Sequence, residues 1–255
     1  MGVPVGTARL AFSFDASRSS LWRGVALVQT NRAADAIYKM RDRLCEDFDA
    51  FSLEPRLMEI TQRENRVRNQ YTVTFSDSSS DSSGRIQTLR RSRRGAQRQQ
   101  FRLKNAFGPI SAGLKILSQP LEVGQRRSVL VFTGTSYYLV ELSVVRRERL
   151  ASALGNIEAF LTNARIVRSS EGSGAASVHN VAVWISAQGE HLPLRAEAMT
   201  FIGPVTADLA FVGQHAFRRA AGSRGATGGE DEGVAIAPAR QQQSGQGALT
   251  GAPLP

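Results

Sequence analysis

Apolar and polar positions alternate with a period of two along much of this chain, the pattern of strands that bury one face and wet the other. The run 183–203, VWISAQGEHLPLRAEAMTFIG, displays it best. Val183 and Ile185 are β-branched and flank Trp184, which favours an extended backbone. Ala187-Gln188-Gly189-Glu190 reads as a hairpin turn. On the return run Leu192, Leu194, Ala196 and Ala198 share one face, and His191, Arg195, Glu197 and Met199 share the other. Pro193 has no amide to donate, which assigns it an edge or a bulge. Gly203-Pro204 breaks the strand, and Val205 to Val212 resumes it.

The same reading predicts strands over 5–14, 21–30 and 44–51, and a hairpin of 53–63 with 66–75 across Glu64-Asn65. Further strands are expected at 85–91, 128–133, 137–145 and 157–166. Two stretches change period. Ala33, Ile37, Met40 and Leu44 recur at three- and four-residue spacing, which predicts a short helix near 33–41. In GPISAGLKILSQP, 108–120, Ile110, Leu114 and Leu117 form one apolar stripe between Pro109 at the first turn and Pro120 beyond the last. SDSSSDSSG, 76–84, and the Ser/Gly run 168–177 are loops. The Gly/Ala/Gln/Pro-rich stretch 219–255 has too little apolar surface to order itself and is expected to be a disordered tail.

The sum is about ten strands and turn signals at intervals, with no fixed-period repeat. The expected fold is mainly β: a curved, mostly antiparallel sheet or barrel-like fold with one or two short helices. It is expected as one domain over 1–218, with a loop insert at 76–100, followed by the tail 219–255. A sheet of that many strands should curl, because a flat one leaves long edges.

Composition narrows the function classes. Hydrophobic residues make up 42% of the 255, enough for a core. No run reaches the roughly 18 apolar residues of a membrane-spanning helix, and no apolar leader follows Met1. Cys45 is the single cysteine, which excludes a disulfide framework. Net charge is +10, almost all of it from arginine, since Lys39, Lys104 and Lys115 are the only lysines. Such a balance raises the question of nucleic acid or another polyanion. The charge is spread along the chain, however. Its densest cluster, Arg85, Arg90, Arg91, Arg93, Arg94 and Arg98, has no aromatic until Phe101 on which a base would stack. Nucleic acid is therefore not the expected partner.

Residues that carry chemistry are sparse. His179, His191 and His215 have no metal-ligand spacing, and Cys45 has no evident partner histidine, so no metal, cofactor or catalytic residue is assigned. GQGALTG, 245–251, has the wrong spacing for a dinucleotide loop, and neither a GxSxG nor a Walker pattern is present. Asp42, Glu46, Asp47 and Asp49 form an acidic cluster that solvent-facing charge accounts for. Trp184 needs a partner for its indole N–H. Arg195 and Glu197 share a strand face and are read first as cross-strand pairing.

Two stretches carry a resemblance. SAGLKILSQPLEVGQRRSVLVFTGTSYYLVELSVVRRERLASALGNIEAF, 111–160, and VWISAQGEHLPLRAEAMTFIGPVTADL, 183–209, resemble the DUF3108 family of bacterial envelope proteins. GVPVGTARL near the N-terminus and YKMRDR also fit, so the likeness runs in order through 2–212. It implies an exported, periplasmic or envelope β domain and brings no catalytic residues with it. This chain starts inside the first segment of the pattern, where family members carry a leader or lipid anchor and another strand. Ala187-Gln188 replaces the usual turn aspartate, which argues against an essential acid there.

The leading expectation is thus a non-catalytic envelope protein that binds a lipid or another envelope protein on a curved sheet. Trp184, Phe132, Leu139, Leu194 and Arg195 are its candidate ligand-binding residues, on a concave face that could be hollow or filled. The alternative is a polyanion or nucleic-acid binder acting through the arginines of 85–102. A hydrolase of envelope polymers ranks last, for want of two convergent carboxylates or a nucleophile with a base.

Overall fold

The computed structural model describes residues 3–14, 20–76, 84–169, 178–200 and 203–213, together with the backbone of 234–241. Residues 77–83 and 170–177, most of the loops expected at 76–84 and 168–177, lie outside the described residues, as do His215 and the GQGALTG run; Arg168 and Ser169 end a strand instead.

The chain begins with β1 (Val3–Phe14), β2 (Leu21–Thr30) and β3 (Arg41–Asp49). Next come β4 (Pro55–Glu64), β5 (Val67–Phe75), β6 (Arg85–Ser92) and β7 (Gly95–Arg102). The short β8 (Ala106–Phe107) leads into the helix α1 (Pro109–Leu117) and then β9 (Arg126–Phe132), β10 (Tyr137–Ser152) and β11 (Gly155–Ser169). β12 (Val178–Ser186), β13 (Pro193–Thr200), β14 (Gly203–Asp208) and β15 (Val234–Gln241) complete it. The strands run in two arms, β1 to β7 and β8 to β14, and β15 joins them by pairing with β1 on one side and β14 on the other. Neighbours are antiparallel except β8 and β9. The outermost strands, β7 and β8, do not pair, so the sheet is not closed into a barrel.

The sheet is rolled instead. Phe132 of β9 is fully buried among Met58, Val73, Phe75 and Ile86 of the first arm, with Phe101 stacked edge-on 4.9 Å away. The opposite side of β9, Val129 and Val131, packs on Ala112 of α1. Both faces of this strand are therefore dry from Val129 on, which explains the unbroken apolar run VLVF that a strand wet on one side would not need. The helix continues the filling: Ile116 and Leu117 lie against Leu142, Val144, Phe160 and Ile185. A further cluster of Leu150, Ala159, Leu194 and Leu209 closes the end near β13.

The helix is tied to both arms. At its start, Ile110 and Ser111 donate backbone N–H groups to the Glu46 carboxylate of β3 at 2.9 and 3.3 Å, and the Ser111 hydroxyl donates to it as well. At its end, Arg127 of β9 donates to the Ile116 carbonyl at 2.7 Å and to those of Gln119 and Pro120. His191 Nδ1 stands 2.9 Å from the Leu117 carbonyl, which can only accept, so the ring donates there. Anion at the N-terminus and cation at the C-terminus both complement the helix dipole.

The 183–203 hairpin forms as its alternation requires. Leu194 is 1% exposed and Met199 73%. The pairing of β12 with β13 shifts between Trp184 and Ile185, so Pro193 sits at a bulge.

Several expectations are corrected. The helix expected at 33–41 is a single 3-10 turn, Ala34–Ala36, and β3 starts at Arg41. Ile37 is 78% exposed, so the spacing that predicted a helix had no core to face. The Asn31 side chain caps that turn, and the Met40–Glu64 bridge then draws the backbone straight. Most of the expected insert 76–100 is the β6–β7 hairpin, whose polar second strand gave no alternation to detect. Within the expected tail, 234–241 forms β15, because VAIAPARQ finds two strand edges to pair with. The barrel alternative falls with the unpaired outer strands.

Candidate anion-binding face

Residues directly opposite in a ladder point to the same side of a sheet, and so do residues two apart on one strand. Following the pairing across the first arm gives one continuous row: Arg9, Leu27, Arg43, Thr61, Gln70, Arg91 and Ala96. Arg63 and Arg68, directly opposite each other, lie one step along the strands, and Arg98 lies one step the other way. The reverse side of the same strands carries Leu44, Met58, Ile60, Tyr71, Val73 and Ile86, which face the core. Arginines dispersed over ninety positions of sequence are thereby gathered on one outer face.

These arginines are exposed. Arg43, Arg63, Arg91 and Arg98 make no ion pair among the described residues. The second arm contrasts with this. There Arg165 meets Glu141 at 2.6 Å, Arg146 meets Glu148 at 2.8 Å, Arg195 meets Asp208 at 2.6 Å, and Arg147 meets Glu158. Like charges directly opposite in a sheet destabilise it. The Arg63–Arg68 pairing, and Arg85 opposite Arg102, therefore work against folding rather than for it. A face on which one sign of charge predominates, here arginine over Glu59 and Asp47, attracts counter-ions of the other.

Two adjoining clefts indent this face. One, of about 410 Å³, is lined by Thr7, Arg9, Leu27, Gln29, Arg43, Thr61 and Arg63, with Arg41 and Asp42 at its end. The other, of about 430 Å³, is lined by Lys39, Arg41, Arg63 and Arg68. Arg41 is held by Asp35, 2.7 Å away, and by the Thr30 hydroxyl at 3.0 Å, so its position is fixed and its charge largely met. The rows of this face from β1 to β7 contain no aromatic ring, so bases have nothing to stack on. The face suits phosphate, sulfate or carboxylate oxygens, which guanidinium groups bind in a fork.

Beside the clefts sits a polar network that sequence reasoning missed. Tyr38 donates its hydroxyl to Glu64, Gln62 donates to Glu64 at 2.9 Å, and Asn69 donates to Gln62 at 3.0 Å. Burial first, and then a hydrogen bond shared with Glu64, pushes the Asp42 carboxyl up to about 6. Burial opposes ionisation of Glu64, but the donors Tyr38 and Gln62 outweigh it and hold that carboxyl below its usual range. The hydrogen bond to Glu64 pushes the Tyr38 phenol up to about 12. Asp42 and Glu64 are far apart in sequence and meet only because β3 pairs with β4, so neither residue type nor spacing signalled the pair.

The other acids of the 42–49 cluster are each accounted for. Glu46 caps α1, Asp47 pairs with Arg23 at 2.6 Å, and Asp49 accepts from the backbone of Phe51 and Ser52. Burial pushes the Cys45 thiol up, away from the nucleophilic thiolate.

The five residues assigned from sequence to an apolar ligand do not converge. Phe132 belongs to the cluster beneath β4 to β6. Leu194 belongs to the cluster at the far end, with Trp184 packed on it. Trp184 donates its indole N–H to Glu148 at 2.6 Å, which with Arg146 holds that carboxyl below its usual range. Arg195 is bound to Asp208, and Leu139, opposite Leu130 on the Phe132 side of β9 and β10, is 37% exposed. The concave side is occupied by α1 and β9.

No curated protein and no solved structure matches the chain. A family model does, over residues 1–210, and it spans both arms, the helix that joins them and all six arginines of the rows above; the chain belongs to the DUF3108 family, proteins of unknown function.

Proposed function

We propose that this protein is a non-catalytic binding protein of the cell envelope that engages a polyanion through the outer face of β1 to β5 and the β6–β7 hairpin. One observation carries the reading: Arg43, Arg63, Arg91 and Arg98 stand in adjoining rows of one exposed face and make no ion pair among the described residues, with Glu59 the acid in the Arg98 row. The envelope location is proposed with it and rests on the family resemblance. The interior packing supports a binding surface on the outside of the sheet over an apolar pocket inside it.

Counter-ion release makes such binding fall steeply as salt rises. The full chain is expected to be retained on immobilised heparin at low salt and to elute as salt increases. The variant Arg43→Ser/Arg63→Ser/Arg91→Ser should elute at clearly lower salt. Absence of retention at low salt, or elution unchanged by the three substitutions, would overturn the proposal.

A further inference from the structure

The two clefts on the arginine face share a wall, and the shared cation that makes no ion pair among the described residues is Arg63. The cleft on one side of it contributes Arg43, and the cleft on the other contributes Lys39 and Arg68. Arg41 also borders both, but Asp35 already meets its charge. A single anion in either cleft would use Arg63 and leave the cations on its far side unmatched. We propose that the pair of clefts holds one small molecule carrying two phosphate groups on a sugar-sized spacer, one group on each side of Arg63. This inference rests on the anion-binding reading of the face and narrows its ligand.

The chemistry of the walls fits a sugar between two phosphates. The first cleft adds the hydroxyls of Thr7 and Thr61 and the amide of Gln29, groups that pair with sugar hydroxyls. Leu27 supplies an apolar patch for a ring face. Each cleft has the volume of a small-molecule site, which runs from about 300 to 1,000 Å³. Guanidinium groups bind phosphate oxygens through two N–H donors at once, whereas Lys39 acts as a point charge.

Arg63 is also placed to be held without being neutralised. Its backbone N–H donates to the Asp42 carboxylate at 2.8 Å, which fixes the strand beneath it. Its side chain is exposed and makes no ion pair among the described residues.

The test is calorimetric titration of the full chain with fructose 1,6-bisphosphate and fructose 6-phosphate as probes, at one ionic strength. The bisphosphate should bind at least tenfold more tightly than the monophosphate. Arg63→Ala should remove that preference, and so should Lys39→Ala/Arg68→Ala, which empties one cleft only. Arg149→Ala, exposed on β10 of the second arm, should leave it in place. Equal affinity for the two probes, no binding of either, or a preference that survives Arg63→Ala would overturn the inference. Heparin retention of the same preparation separates the two levels: if it persists, only the two-phosphate site fails, and if it is also absent the anion-binding reading fails with it.

Discussion

Glu46 is 0% exposed, yet it is a carboxyl group three positions from the wet arginine row. Burial pushes its carboxyl up, and the donors of the α1 N-terminus oppose that shift without cancelling it. The native state therefore binds this proton more readily than the unfolded chain does. Between the ordinary carboxylate range and the native value, stability falls as pH rises. Glu46→Gln removes that titration, so the variant should gain on the natural protein as pH rises above the ordinary carboxylate range, read by urea denaturation across pH. Glu46→Ala also orphans the helix N-terminus and should cost about 2–3 kcal/mol by the same assay. Gly108 is linked to the same contact, since a Cβ there would stand 2.3 Å from the Glu46 carboxylate. Gly108→Ala should cost about 1–3 kcal/mol by overpacking. Nothing in the run RDRLCEDFDA distinguishes Glu46 from Asp42, Asp47 or Asp49. Their four fates depend on which strand or helix faces each one, and that is settled by pairing rather than by neighbours in sequence.

At the scale of elements, alternation was a sound guide where one face is dry and the other wet. β2 spans Leu21–Thr30, the expected bounds, and the 183–203 hairpin folds with its expected inside and outside. α1 was legible because Pro109, the Ile110–Leu114–Leu117 stripe and Pro120 agree. Alternation failed in β7, whose GAQRQQFR is exposed along nearly its whole length, and at 33–41, where helical spacing had no surface to bury. The arginine face was the least legible feature. Arg9, Arg43 and Arg91 look scattered until the register aligns them. The helix supplies a further test, because Arg127 bonds three carbonyls beyond or within its last turn. Arg127→Ala should lower stability by about 1–3 kcal/mol, measured by thermal unfolding, and Arg127→Lys should recover only part of it, since a point charge cannot fork.

At the scale of the whole molecule, the two arms are not independent. β9 lies between α1 and the strands β4 to β6, and α1 is bonded to β3 at one end and to β9 and His191 at the other. The first arm's cluster of Met58, Val73, Phe75 and Ile86 is completed by Phe132 of the second, so the first arm does not bury its apolar face alone. Unfolding should therefore be a single transition, with calorimetric and van't Hoff enthalpies equal. Two resolved transitions would show that the arms fold as separate units.

The helix has one more consequence, for the route by which the chain reaches this shape. Its bonds reach back 65 residues to Glu46 and forward 74 to His191. It can be seated only after strands from both halves of the polypeptide are nearly in place, so the slowest step of refolding should bury it. Closing contacts over such separations is entropically costly, and chains rich in them refold in milliseconds to seconds rather than microseconds.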